Sequence, residues 1–421
     1  MKHYNEYIKI LNEELKPAMG CTEPIAVAYC AATARATLGA IPTKLDIYVS
    51  GNIIKNVKSV VVPNTNGLRG IHAAASIGIV AGDESLELQC ISKVKEEDIK
   101  RCVEYSKSTK INLYCSESEY IFDIQILAYN EGDVAEVRII DNHTNIVLVR
   151  KNDTIIKQRD ISGVKKSDLT DRTILTVEEI YDFACNCNIN DVNELIDRQI
   201  EYNTAISDEG LKNNYGANIG KTLLKSNPND IYAKLKARAA AGSDARMNGC
   251  NMPVVINSGS GNQGMTCSLP VIEYAKYINA SYEQTIRALV LSNLLTIHVK
   301  TDIGRLSAYC GAVAAGCCAG CAIAYLDGND LKVISHTLVN SLAIASGVIC
   351  DGAKASCAAK IAISVEAGIL GYNMYKEGNQ FYGGDGIVQK GVENTIKNIG
   401  ELARDGMCET DKEIIKIMMH C

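Results

Sequence analysis

Apolar residues recur at helical spacing through Tyr4, Tyr7, Ile8, Leu11 and Leu15, so the chain is expected to open with a helix. A second helix is predicted after the GCTEP segment, running to about Leu38 and stopping near Gly39. Leu45, Ile47 and Val49 alternate with polar neighbours, the period-two signature of a strand. SGN at Ser50 reads as a turn, Val60 to Val62 as a further strand, and Ile71 to Val80 as a short Ala-rich helix. From Leu86 to about Lys157 strand patterns dominate. LELQCIS, INLYC, YIFDIQILAY, VAEVRII and NIVLVRK are separated by Asn, Asp, Gly or Ser, and one helix near Glu97 to Ser106 interrupts them. These segments predict an antiparallel sheet with a helix lying on it. Beyond the charged and polar run Lys151 to Asp171 the strand signals nearly vanish. Helical patterns follow at Val177 to Ala184, Val192 to Ile206 and Ile231 to Ala241, and then repeatedly to the end. The expected class is α+β, a mixed N-terminal part with an antiparallel sheet followed by a large all-helical C-terminal part. Three parts are anticipated: residues 1–85 carrying GCTEP, a β-rich part over 86–165, and a helical part over 166–421.

Composition narrows the function. The 421 residues are 47% hydrophobic, with 3 Phe and no Trp, so small aliphatic side chains must fill the core. A net charge of −6 without a basic, aromatic-interleaved cluster argues against a nucleic-acid partner. The first residues are amphipathic and carry acidic groups, without the apolar core of a signal peptide. Leu306 to Leu326 and Val333 to Cys350 lack charge, but Ala, Gly, Ser and Cys dominate both. They are read as buried helices rather than membrane spans. The 17 cysteines are an odd number in a large chain, which fits a reducing cytoplasm better than a disulfide framework. Most are expected to be small buried fillers, among them Cys30, Cys90, Cys102, Cys115 and Cys267. Ala-rich helices able to pack between subunits would suit a homo-oligomer.

Several segments carry candidate chemistry. Cys310, Cys350 and Cys357 have spacing C-x39-C-x6-C in the most apolar region. Three thiolates would hold a [4Fe–4S] cube and leave one iron open as a Lewis acid, although this spacing is not a ferredoxin run. The set Cys317, Cys318 and Cys321 contains a C-x-x-C without a second pair, and packing is the preferred reading there. In GCTEP, Thr22 could cap the helix with Glu23 and Pro24 in its first turn, leaving Cys21 where a helix dipole favours a thiolate. NSGSGNQG, Asn257 to Gly264, could turn backbone N–H groups toward a carboxylate or phosphate. In SDARMNG, Arg246 could grip a carboxylate, or simply pair with Asp244. His143, in a turn between strands, could be an acid–base group, a ligand or a structural donor.

Taken in order, GCTEPIAVA, SGNIIKN with VVPNT, HTNIV, SDARM, NSGSGNQG, RLSAYC and ICDGAKASC resemble the iron–sulfur L-cysteine desulfidase family, related to the α-chain of iron–sulfur L-serine dehydratases. The resemblance covers almost the whole chain. Asn64 stands where relatives often carry Gly, and the terminal His420-Cys421 is not a family hallmark. The resemblance implies a carbon–sulfur lyase acting on a small amino acid, with Cys310, Cys350 and Cys357 as ligands of a [4Fe–4S] cluster. It makes Cys21 the active-site thiol, either base or removable fourth ligand. Asn52, Lys55, His143, Ser243, Arg246, Asn257, Ser258, Gly259, Ser260, Asn262 and Gln263 would line the substrate site. Cys421 could cap the open iron, although a frayed tail is preferred. The alternatives are an iron–sulfur L-serine dehydratase, a pyridoxal-phosphate β-eliminase with Lys354 as the remaining Schiff-base candidate, a non-enzymatic iron–sulfur sensor, and a zinc-stabilised structural protein.

Overall fold

The computed structural model describes residues 2–20, 22–118, 120–159, 169–304 and 307–419. Its N-terminal half contains α1 (Tyr4–Glu14), β1 (Pro17–Met19), α2 (Thr22–Leu38), β2 (Lys44–Val49), α3 (Gly51–Val57), α4 (Gly70–Ala81), α5 (Glu96–Ser108), β3 (Lys110–Cys115), β4 (Asp123–Asn130), β5 (Asp133–Ile140), β6 (Ile146–Lys151) and β7 (Thr154–Gln158). Helices dominate thereafter: α6 (Val177–Asn186), α7 (Asn193–Lys212), α8 (Ile219–Ser226), α9 (Ile231–Met247), α10 (Gly261–Tyr277), α11 (Tyr282–Ile303), α12 (Gly311–Leu326), α13 (Leu331–Ala345), α14 (Cys357–Lys376), α15 (Val392–Glu401) and α16 (Cys408–Met419). The only strand among these described elements is β8 (Pro253–Val255), antiparallel to β1. The protein is α+β, as its patterning predicts.

The main sheet has order β3-β2-β4-β5-β6-β7. It is mixed, because β2 and β3 run parallel while the other pairings are antiparallel. Helix α2 covers β4 and β5, and one apolar core runs from Ile25 to Val149. Strand β2 therefore lies inside the sheet formed by the following strands, and the expected cut at 85/86 crosses a continuous core. A second core joins the C-terminal helices and includes Tyr7, Ile10 and Leu11 of α1. The charged run after Lys151 begins with β7, a fully exposed edge strand, before passing outside the described residues.

Several local expectations are corrected. Ser50-Gly-Asn does not turn between strands but opens α3. The Val60–Val62 run makes a single bridge, Val61 to Arg69, because no strand lies alongside it. LELQCIS folds into 3₁₀ turns. Helix α2 already includes Thr22, so Thr22 is not its cap; Cys21 lies outside the described residues, as does Cys421. Cys30, Cys90, Cys102 and Cys267 are buried, but Cys115 ends the edge strand β3 and is exposed. Among the described residues every cysteine is a free thiol, and no helix is long and apolar enough to cross a membrane.

Candidate active site

The Gly-rich segment is a tight hairpin turn feeding a helix. Asn257 and Ser260 exchange backbone hydrogen bonds of 3.1 and 3.0 Å, and Ser258 and Gly259 between them have φ of +50° and +79°. Positive φ at both central positions matches a type I′ turn. The Asn257 and Ser260 N–H groups therefore satisfy each other rather than converging on an anion. Ser260 caps α10 through a 3.4 Å bond accepted from Gln263 N–H, which leaves the first turn of α10 as the donor-rich edge. The Asn257 amide donates to the carbonyl and side-chain oxygens of Asn293, and Ser258 Oγ donates to Asn257 Oδ1 at 2.8 Å. Asn257 thus pins the turn to α11. Asn203 pins β8 and α10 in the same way, accepting from Val255 N–H and donating to the Gly264 carbonyl.

Arg246 ends α9 and braces this turn. A Cβ at Gly261 would lie 2.4 Å from Arg246 Nε, so glycine is needed for the guanidinium to lie against the backbone. Arg246 Nη1 donates to Asn262 Oδ1 at 3.4 Å. The alternative reading of Arg246, a simple pair with Asp244, is not what forms. Asp244 instead accepts from Gly220 N–H at 2.9 Å, and burial pushes its carboxyl up to about 6. Ser243 is fully buried one turn earlier.

The three cysteines come from adjoining backbone segments. Tyr309 and Ile349 form an antiparallel bridge, with Cys310 N–H donating to Val348 O at 3.0 Å and Cys350 N–H to Ala308 O at 2.6 Å. Cys357 starts α14, and its thiol donates to Gly352 O at 3.4 Å. Burial, then the nearby thiols led by Cys350, pushes Cys310 up to about 12. Burial also raises Cys357. Among the described residues no three His, Cys, Asp or Glu side chains gather tightly enough to hold a single metal ion. A cube makes a different demand, since each thiolate takes a separate iron. All-thiol donors on three adjoining segments suit that chemistry. Cys317, Cys318 and Cys321 are fully buried inside α12, as packing requires.

The other predicted residues border this region to different degrees. Gln263 lies on Gly311, beside Cys310, where a Cβ would stand 2.6 Å from the amide. Asn52 and Lys55 lie on α3, and the Gly352 backbone packs onto the Lys55 carbonyl. Lys55 is 1% exposed and its ammonium pairs with Asp411 of α16 at 2.5 Å. Lys58 donates to Met418 O, and Ile415 covers Gly51, so α16 lies along α3. His143 meets Phe122 edge-on, with ring centroids 4.8 Å apart. Its turn is linked to α3 through the 121–123 segment, because Ser50 donates to the carbonyls of Ile121 and Asp123. No direct contact joins His143 to the three cysteines among the described contacts.

Asn52 Oδ1, Ser243 Oγ, Arg246 Nε and Gln263 Oε1 are among the buried side-chain atoms with no hydrogen-bond partner among the described residues. Such atoms are costly unless a ligand or water meets them. Patterning missed Lys300, Lys360 and Asp411. Lys360 donates to Ile349 O and pairs with Asp351 within the cysteine loop. Lys354 is also held in that loop, by Asp351 and the Gly352 carbonyl. The one sequence clue to Lys300 is a lysine inside an otherwise buried helical face.

A helical half, a three-thiol junction and a braced Gly-rich turn define a serine dehydratase-like architecture. The chain belongs to the serine dehydratase alpha chain family, which matches residues 85–416. Full-length relatives include a UPF0597 protein of Desulfitobacterium hafniense, 56% identical over 419 residues and covering 100% of this chain and 97% of that protein. UPF0597 proteins of Finegoldia magna and Treponema denticola are 47% and 46% identical, covering 100% and 99% of this chain and 100% and 98% of theirs.

Proposed function

We propose that this chain is an L-cysteine desulfidase, converting L-cysteine to pyruvate, sulfide and ammonia in a reducing cytoplasm. What supports the reading is the coincidence of unsatisfied buried polar atoms with the residues expected to line the substrate site, next to three free thiols, in a serine dehydratase family member. When held by Cys310, Cys350 and Cys357, a [4Fe–4S] cluster supplies Lewis acidity that makes sulfide a better leaving group. Arg246 and the first turn of α10 hold the substrate carboxylate. Gln263 and Ser243 offer hydrogen bonds that orient the amino acid, and Asn52 closes it from α3. The Cys21 thiolate takes the α-proton. As the C–S bond breaks, sulfide leaves with the electron pair and aminoacrylate is released, tautomerises, and hydrolyses to pyruvate and ammonia.

The family name favours a second reading, dehydration of L-serine through the same residues. Anaerobic purification with reconstituted iron, followed by parallel assays of pyruvate from L-cysteine and L-serine, decides between them. Faster turnover of L-cysteine with stoichiometric sulfide supports the desulfidase. Turnover of serine alone overturns it. Cys21→Ser abolishes turnover while most cluster absorbance remains, and retained activity excludes Cys21 as the base.

A further inference from the structure

A cavity of about 690 Å³ lies beside the Gly-rich turn, lined among others by Ser258, Ile297, Lys300, Thr301 and Gly304, with Glu14, Asp171 and Arg172 also on its wall. Lys300 sits near the end of α11 and is 5% exposed. No carboxylate lies within ion-pairing distance of it among the described residues. Lys55, comparably buried, has Asp411. The Lys300 ammonium donates to the Gly304 carbonyl at 2.5 Å, one acceptor for three N–H groups. A buried charge left this way is expensive and calls for an anion. Cys350 and Cys310 act on it electrostatically, as does the like-charged Lys55. Burial pulls the Lys300 pKa down.

A purely structural role as a cap on the end of α11 accounts for the Gly304 bond. It does not account for the two remaining donors or for the cavity that Lys300 and Ser258 both line. Glu14 and Arg172 on the same wall are paired with each other at 2.8 Å, and Arg172 also pairs with Glu13. Arg172 is therefore already neutralised. Lys300 is the cation in that lining with capacity for an incoming carboxylate.

We infer that this cavity receives a small α-amino acid and that Lys300 anchors its carboxylate from α11, complementing Arg246 behind the Gly-rich turn. The inference rests on the amino-acid lyase reading and adds a residue to it. The test uses iron-reconstituted protein and two unreactive probes, L-alanine and L-alaninamide, which differ in the carboxylate. Binding is measured by calorimetry. Wild type prefers L-alanine. Lys300→Met weakens L-alanine about tenfold or more, the size of a charge-assisted hydrogen bond, and erases the preference over the amide. Lys300→Arg restores part of it. Thermal melts confirm that the variants are folded, and Lys300→Gln replaces Lys300→Met if the latter is not. Unchanged L-alanine affinity in a folded variant, equal weakening of both probes, or a wild type indifferent to the carboxylate overturns the assignment. Carboxylate-selective binding that depends on Lys300, without pyruvate from cysteine or serine, instead refutes the proposed activity and leaves the anchor standing.

Discussion

Replacing Gly352 by alanine tests whether the loop between Cys350 and Cys357 must lie against α3 to hold a cluster. Gly352 has φ +93°, and a Cβ there would stand 1.8 Å from the Lys55 carbonyl oxygen and 2.7 Å from its carbon. Two penalties are mixed in that substitution. Left-handed backbone costs an L-residue about 1–2 kcal/mol wherever it occurs. The collision is separate, and it involves backbone that cannot swing aside as a flexible side chain could. Moving the Cβ out to 3.0 Å, the limit below which real contacts essentially never fall, displaces the loop by roughly 1.2 Å. Metal–ligand distances tolerate only about 0.2 Å. Gly328→Ala is the matched control, because its φ is +81° and nothing lies within 4 Å of the added methyl. Both variants should lose thermal stability from strain, Gly352→Ala the more because of the collision, whereas Gly352→Ala alone should lose most of its iron and acid-labile sulfide after anaerobic reconstitution. Equal iron content in the two folded variants would show that the packing of this loop on Lys55 does not position the cluster ligands.

Three further outcomes are expected. Asp411→Ala strands the Lys55 ammonium, 1% exposed, and should weaken docking of α16 by about 3 kcal/mol, seen as faster amide exchange in α16; Lys55→Met should restore protection in the Asp411→Ala background. Cys318→Ala, at a fully buried site in α12, should lower the unfolding temperature without changing iron stoichiometry, whereas Cys350→Ala should eliminate iron binding. Burial lifts Asp244 from 3.8 to about 6. The folded state thus binds that proton more tightly than the unfolded state, and the stability it confers is complete below about pH 4 and lost as pH rises through 6. Asp244→Asn keeps an acceptor for Gly220 N–H, so urea unfolding of the variant should lose less stability than wild type across that interval.

The chain's own patterning determined the helices whose apolar positions repeat every three to four residues, from α1 through α14, and the alternating strands β4, β5 and β6. Those signals are local, set by backbone geometry and by which face must leave water. The same local logic flagged the three-cysteine set, the Gly-rich turn and Arg246 as candidates, while the preference for Cys310, Cys350 and Cys357 as ligands came from the family resemblance. Patterning could not tell that β3 pairs parallel to β2, since alternation looks alike in either direction. It also read α3 as a turn, because that short helix is fixed by what packs on it: Ile415 over Gly51 and Asp411 on Lys55, residues more than 350 positions away. Only tertiary structure decided which charges are answered. Lys55 finds a carboxylate from the far end of the chain, Asp244 turns to Gly220 instead of Arg246, and Lys300 meets a carbonyl and a cavity. A sequence fixes which groups can ionise or donate, but the free energy of a buried charge depends on what folding brings within a few ångströms of it.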